Sequence, residues 1–99
     1  MKVYWTDRAK RRLKLIEEYI AQDAPEVAQR TVHRILARSR QIGELPQSGR
    51  KVPEFDHPEI REVLQRPYRI IYRVRSDRID VLAVMHYRQL LPRDRETVD

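Results

Sequence analysis

Ninety-nine residues suffice for one folding unit with a single core and leave no room for a second, so the whole chain, 1–99, is expected to be one domain. The absence of cysteine excludes disulfides and thiolate metal sites, the scattered His33, His57 and His86 make no metal-binding pattern, and two glycines, Gly43 and Gly49, exclude a glycine-rich nucleotide loop. No metal or cofactor is therefore expected, while a net charge of +6, from 21 Lys plus Arg against 15 Asp plus Glu, calls for an anionic partner: nucleic acid, a nucleoprotein particle or an acidic protein.

The chain opens on Lys2-Val3-Tyr4-Trp5, which alternates polar and apolar residues at the period of a strand, and Thr6 or Asp7 then offers a helix N-cap. Ala9, Leu13, Ile16 and Ile20 follow at helical spacing, with Arg8, Lys10, Arg11, Arg12 and Lys14 on the other sides. A second helix starts at Asp23-Ala24-Pro25-Glu26, where Asp23 is placed to cap, proline suits the first turn and Glu26 suits the positive helix end. Its apolar stripe is Ala28, Val32, Ile35 and Ile42; Arg30, Arg34, Arg38 and Arg40 ride elsewhere on its surface, and Gly43 and Pro46 end it. The short link between the helices predicts an antiparallel hairpin.

From Pro46 to Pro58 no periodicity persists, which predicts a surface loop. Three strand-like runs follow, Ile60 to Arg66, Tyr68 to Arg75 and Arg78 to Tyr87, separated by breaks short enough for an antiparallel meander. The expected architecture is α+β: an N-terminal strand and a helix hairpin packed on a three- to four-stranded, mainly antiparallel sheet. The polar tail from Pro92 to Asp99 is expected to be loosely held. The longest apolar run, Val81 to Met85, falls far short of the roughly 20 residues that a bilayer requires. A cytoplasmic protein with no membrane segment and no signal peptide is the expectation.

On the middle strand, alternation sends Tyr68, Ile70, Tyr72 and Val74 one way and Arg69, Ile71, Arg73 and Arg75 the other, predicting an arginine row on one sheet face. Arg61 is expected to extend the row, with His86 and Arg88 returning beside it. Such a patch seats a phosphate backbone; it also reads as a solvated face that guards the sheet against aggregation. In the loop, Glu54 lies close to Arg50 and Lys51, and is either a general base or a partner of those cations. His86, placed at a predicted strand end, is of the residue type that donates or accepts a proton in catalysis, though a lone histidine is more often structural.

Taken together, Gly49-Arg50-Lys51-Val52-Pro53-Glu54, Ile60-Arg61-Glu62-Val63, Tyr68-Arg69-Ile70-Ile71-Tyr72-Arg73-Val74, Ile79-Asp80-Val81-Leu82 and His86-Tyr87-Arg88 resemble the RelE/ParE toxin superfamily over nearly the whole length, with the ParE-like group slightly favoured. The resemblance implies a growth-inhibiting toxin of a type II toxin-antitoxin module, of the kind associated with plasmid stabilisation, held in a hetero-oligomer by a cognate antitoxin from an adjacent gene. It leaves two targets open. A ParE-like member poisons DNA gyrase, and Arg50, Lys51, Arg69, Arg73, Arg75 and Arg88 are then the residues for target binding. A RelE- or YoeB-like member is a metal-independent endoribonuclease, an mRNA interferase acting at the ribosome. Glu54, Arg61, Arg69, His86 and Tyr87 map in order onto that catalytic pattern. Two departures stand against the nuclease mapping: twelve residues follow the His-Tyr pair, and the lysine-rich loop is reduced to Lys51. A plain basic interaction module is the third reading.

Overall fold

The computed structural model describes residues 1–89; the tail expected from Pro92 onward lies outside the described residues. The elements are β1 (Lys2–Trp5), α1 (Asp7–Ala21), α2 (Pro25–Glu44), β2 (Arg50–Lys51), β3 (Ile60–Gln65), β4 (Tyr68–Val74) and β5 (Arg78–His86). They form an α+β fold with one sheet in the order β1-β5-β4-β3-β2. All pairs are antiparallel except β1 with β5, which run parallel because the chain crosses over through the helix hairpin between them. The sheet thus has five strands, one more than the upper expectation. The extra one is β2, inside the segment expected to be loop, where a two-residue pairing of Arg50 with Glu62 and Lys51 with Arg61 is too short to leave a periodic signature.

Thr6 starts α1 as its N-cap: its Oγ1 accepts from the Ala9 N–H at 3.1 Å and donates to the Val81 carbonyl at 2.9 Å. One hydroxyl therefore fixes both the helix start and its position over β5. Asp23, expected to cap α2, does not. The N-cap residue is Ala24 and no side chain caps the helix. The hairpin turn is closed instead by the Asp23 and Ala24 N–H groups donating to the Ile20 carbonyl, and Pro25 in the first turn brings no N–H that needs a partner. Gly43 does not end α2 either: the helix continues to Glu44, and Gly43 is buried against the first residue. A Cβ there would collide with the Met1 carbonyl, and the N-terminal ammonium donates to the Gly43 carbonyl at 2.9 Å.

The hairpin covers one sheet face. Ala9, Ile35 and Ile42 from the helices meet Val63, Ile70, Tyr72, Ile79, Val81 and Val84 from the sheet, with Val3, Trp5, Leu13 and Ile16 packed at the margin. Truncating one of the buried isoleucines to alanine costs about 2–5 kcal/mol in such a core. The other face carries a second cluster, Val52, Ile60, Ile71, Leu82, Ala83 and Met85, against which Phe55 of the loop packs. The register of β4 with β5 slips between Ile71, opposite Ala83, and Tyr72, opposite Val81. Leu82 is the extra residue of this bulge, so that Leu82 and Ala83 both serve the second face.

Candidate functional site

The alternation expected along β4 holds, but the arginines it carries are not a free cationic row. Arg69 is 4% exposed and lies on the face away from the helices, across from Met85 and Leu64. Its Nε donates to Glu62 at 2.7 Å, its two terminal nitrogens donate to both carboxylate oxygens of Glu54 at 2.8 and 2.9 Å, and one of them also reaches the Gln89 carbonyl at 2.8 Å. The contact with Glu54 is the two-pronged guanidinium–carboxylate pairing that suits arginine best. Glu62, wholly buried, accepts a second cation, Arg50, at 2.8–2.9 Å. Burial by itself disfavours the Arg69 charge, but hydrogen bonds and charge from Glu54 and Glu62 outweigh it and raise the pKa above the ordinary arginine value.

The remaining arginines of the expected row are also engaged. Arg73 pairs with Glu59 at 3.3 Å. Arg75 and Arg78 converge on Asp80 at 2.6 and 3.0 Å. Burial pushes the Asp80 carboxyl up, but the two guanidinium groups prevail and hold it below the usual carboxylate range. The physical reason is the company of the row: β3 and the loop before it place Glu54, Glu59 and Glu62 where the alternation places Arg69 and Arg73.

Arg61 and His86 do not join that network. Arg61 stands opposite Tyr72 and His86 opposite Tyr68, so both lie on the helix side of the sheet, at separate ends. Tyr68 and Tyr72 are four residues apart on one strand, a span of about 13 Å. Arg61 donates to the Gly49 carbonyl at 2.8 Å, and its Nε is buried with no hydrogen-bond partner among the described residues. The neighbouring Tyr72 hydroxyl accepts from the Gly49 N–H at 3.0 Å and donates to the Pro46 carbonyl at 2.8 Å, which pins the turn after α2 onto the sheet. That turn needs glycine at 49 because a Cβ would strike the Tyr72 hydroxyl and lie 2.7 Å from the Glu62 carbonyl. The His86 imidazole accepts from the Arg88 N–H through Nδ1, meets Tyr68 edge-on and stacks on Tyr87. Arg88 in turn lies over the Tyr87 ring and donates to its hydroxyl.

Of the expected nuclease set, the structure brings together Glu54 and Arg69, as an ion pair, and His86 with Tyr87, as a ring stack. It joins neither pair to the other or to Arg61. Of the expected target-binding set, Arg50, Lys51 and Arg88 are exposed, whereas Arg69 is buried and Arg73 and Arg75 are half-buried. Glu62 was not anticipated as a site residue. Its signal was present in the alternation Ile60, Glu62, Leu64: a charge on an apolar strand face requires a buried counter-charge. Among the described residues no group of three or more His, Asp or Glu side chains could hold a metal ion, and no helix is long and apolar enough to cross a membrane.

Comparison with known proteins bears on this arrangement. Residues 3–91 match the family model for the ParE toxin of the type II toxin-antitoxin system parDE. The chain is 37% identical over 93 residues to the "Putative toxin Y4kP" of Sinorhizobium fredii (strain NBRC 101917 / NGR234), covering 92% of this chain and 93% of that protein. It also superimposes on a chain of the solved chromosomal ParDE toxin-antitoxin system from P. aeruginosa with a TM-score of 0.74 and 25% identity, covering 87% of this chain and 95% of the other.

Proposed function

The chain belongs to the ParE toxin family of type II toxin-antitoxin systems, and from that premise we propose that it arrests growth by binding DNA gyrase, as a protein inhibitor without nuclease chemistry. As a toxin of the ParDE type it has an antitoxin for a partner; we take the two to form a hetero-oligomer in the cytoplasm, where the whole chain acts as one toxin domain. The observation that carries the gyrase reading is the commitment of Arg69. Four hydrogen bonds to Glu54, Glu62 and the Gln89 carbonyl occupy its guanidinium. A transition-state phosphate would have to break a buried pair to reach it, and both carboxylate oxygens of Glu54, the residue needed as base, accept from the same arginine. His86, the histidine of that set, faces the helices. Arg50, Lys51 and Arg88 remain exposed for contact with a target.

Two assays separate the readings. Purified wild-type protein is expected to block supercoiling by gyrase and to leave ribosome-bound mRNA whole, and His86→Gln is expected to retain growth arrest, because no proton transfer is lost. The opposite pattern, mRNA cut by the wild type and spared by a folded His86→Gln variant, would establish the endoribonuclease instead.

A further inference from the structure

Helix α2 carries arginines that no carboxylate neutralises among the described residues. Arg30, Arg34 and Arg38 recur every four residues, so they line one stripe of the helix, each about 6 Å further along the axis than the last. None of the three makes an ion pair among the described residues; Arg38 donates only to Gln41, at 3.2 Å. Glu26 and Glu44, the acidic residues of the helix, sit at its two ends and pair with none of them. The stripe leads toward the turn that follows α2, where Arg61 holds the Gly49 carbonyl with one nitrogen and buries an Nε without a hydrogen-bond partner among the described residues. Arg38 and Arg61 both lie close enough to the Tyr72 hydroxyl to bias its ionisation, against the upward push of burial.

We infer that Arg30, Arg34 and Arg38, continued by Arg61 across the turn, form a track for the phosphate backbone of double-stranded DNA. The two rows of arginine differ in this respect: carboxylates neutralise the one on the sheet, and the one on α2 has no counter-charge among the described residues. A partly buried guanidinium without an anion is unfavourable, and an incoming phosphate removes that penalty while releasing counterions from the nucleic acid. A regular row of planar, two-pronged donors at fixed rise suits a repeating phosphate chain. Thr31, Ala37 and Gln41, interleaved along the stripe, are small or polar, and the exposed apolar side chain on the same side, Val27, lies only at its start, so no large apolar anchor of the kind that centres a protein interface sits within it. An acidic polypeptide is for that reason the weaker match. The inference deepens the gyrase reading, on which its biological setting rests, by giving the toxin a contact with the DNA that gyrase holds.

The test is fluorescence anisotropy of a short labelled duplex with the full chain over a range of salt concentrations. The triple variant Arg30→Gln/Arg34→Gln/Arg38→Gln is compared with a control of equal charge loss on α1, Lys10→Gln/Arg11→Gln/Lys14→Gln. The α2 variant is expected to bind about tenfold more weakly or worse, with a logarithmic salt slope shallower by about three, while the α1 control shifts less than about threefold. Thermal melting of both variants checks that they are folded. Equal losses in the two variants, no binding of duplex by the wild type, or displacement of duplex by polyglutamate at matched charge would each overturn the track. Gyrase inhibition is read separately. If duplex binding behaves as expected and supercoiling proceeds unhindered, the target assignment fails and the track stands; if supercoiling is blocked and duplex is not bound, the reverse holds.

Discussion

The two faces of the sheet are built from the same strands and closed by opposite means. On the helix side, Tyr68, Ile70 and Tyr72 of β4 meet the apolar stripes of α1 and α2. On the other side, Arg69, Ile71 and Arg73 meet a loop that contributes Val52 and Phe55 but also Glu54 and Glu59. Helices give one face a continuous hydrophobic cover, which is non-directional and tolerant. A short loop cannot supply enough apolar area, so the second face is completed by directed ion pairs centred on Arg69. An arginine-rich strand in a basic protein invites a nucleic-acid reading, yet here the strand's charge serves the interior. Whether an arginine is available to a partner depends on which carboxylates fold against it.

Breaking the charged face at its centre should have the largest effect. Arg69→Met leaves Glu54 and Glu62 buried without their shared cation, and is expected to cost about 3–5 kcal/mol in urea unfolding. Adding Glu62→Leu and Glu54→Gln should recover much of that loss, since the penalty lies in the two buried carboxylates that lose Arg69, of which Glu62 keeps the exposed Arg50. A loss under about 1 kcal/mol for Arg69→Met would mean that the Arg69–Glu54–Glu62 network is not a structural element.

The helix-side face can be probed at its polar exception. Tyr72→Phe keeps the ring in the core but removes the hydroxyl that holds Gly49 and Pro46, leaving a buried N–H unsatisfied. The expected cost is about 1–3 kcal/mol. Hydrogen exchange should quicken at Gly49, with the sheet pairs little changed. Global loss of protection would show that the turn and the core are not separable.

The smallest effect is expected at the far end of the charged face. Asp80→Asn removes the carboxylate that Arg75 and Arg78 share, at about 1–2 kcal/mol near neutral pH, with the exposure of the two arginines keeping it below the Arg69 effect. The sign of the pH dependence follows from the depressed pKa. Asp80 binds its proton less readily folded than unfolded, so its contribution is present above the unfolded value near 4 and fades as pH falls through the lower folded value. Stability of the wild type and of Asp80→Asn should therefore converge on acidification. A gap that persists at low pH would assign the effect to packing.

The expected family is the one to which the chain belongs, because its motifs span nearly the whole length and their order along the chain mirrors the order of the elements. The sequence by itself determined that order, the two amphipathic helices and the meander of β3 to β5, since each rests on a period of 3.6 or 2 that is local to its own segment. It also determined which β4 residues share a face. Tertiary structure alone decided that β1 runs parallel beside β5, that two residues of the loop add a strand, and that the α2 arginines have no carboxylate partner among the described residues while those of β4 do. Glu54 and Arg69 are 15 residues apart, Tyr72 and Gly49 are 23 apart, and nothing in either neighbourhood marks the other. Charge is a property of the residue, but neutralisation is a property of distance, and distances between remote segments exist only once the chain has closed.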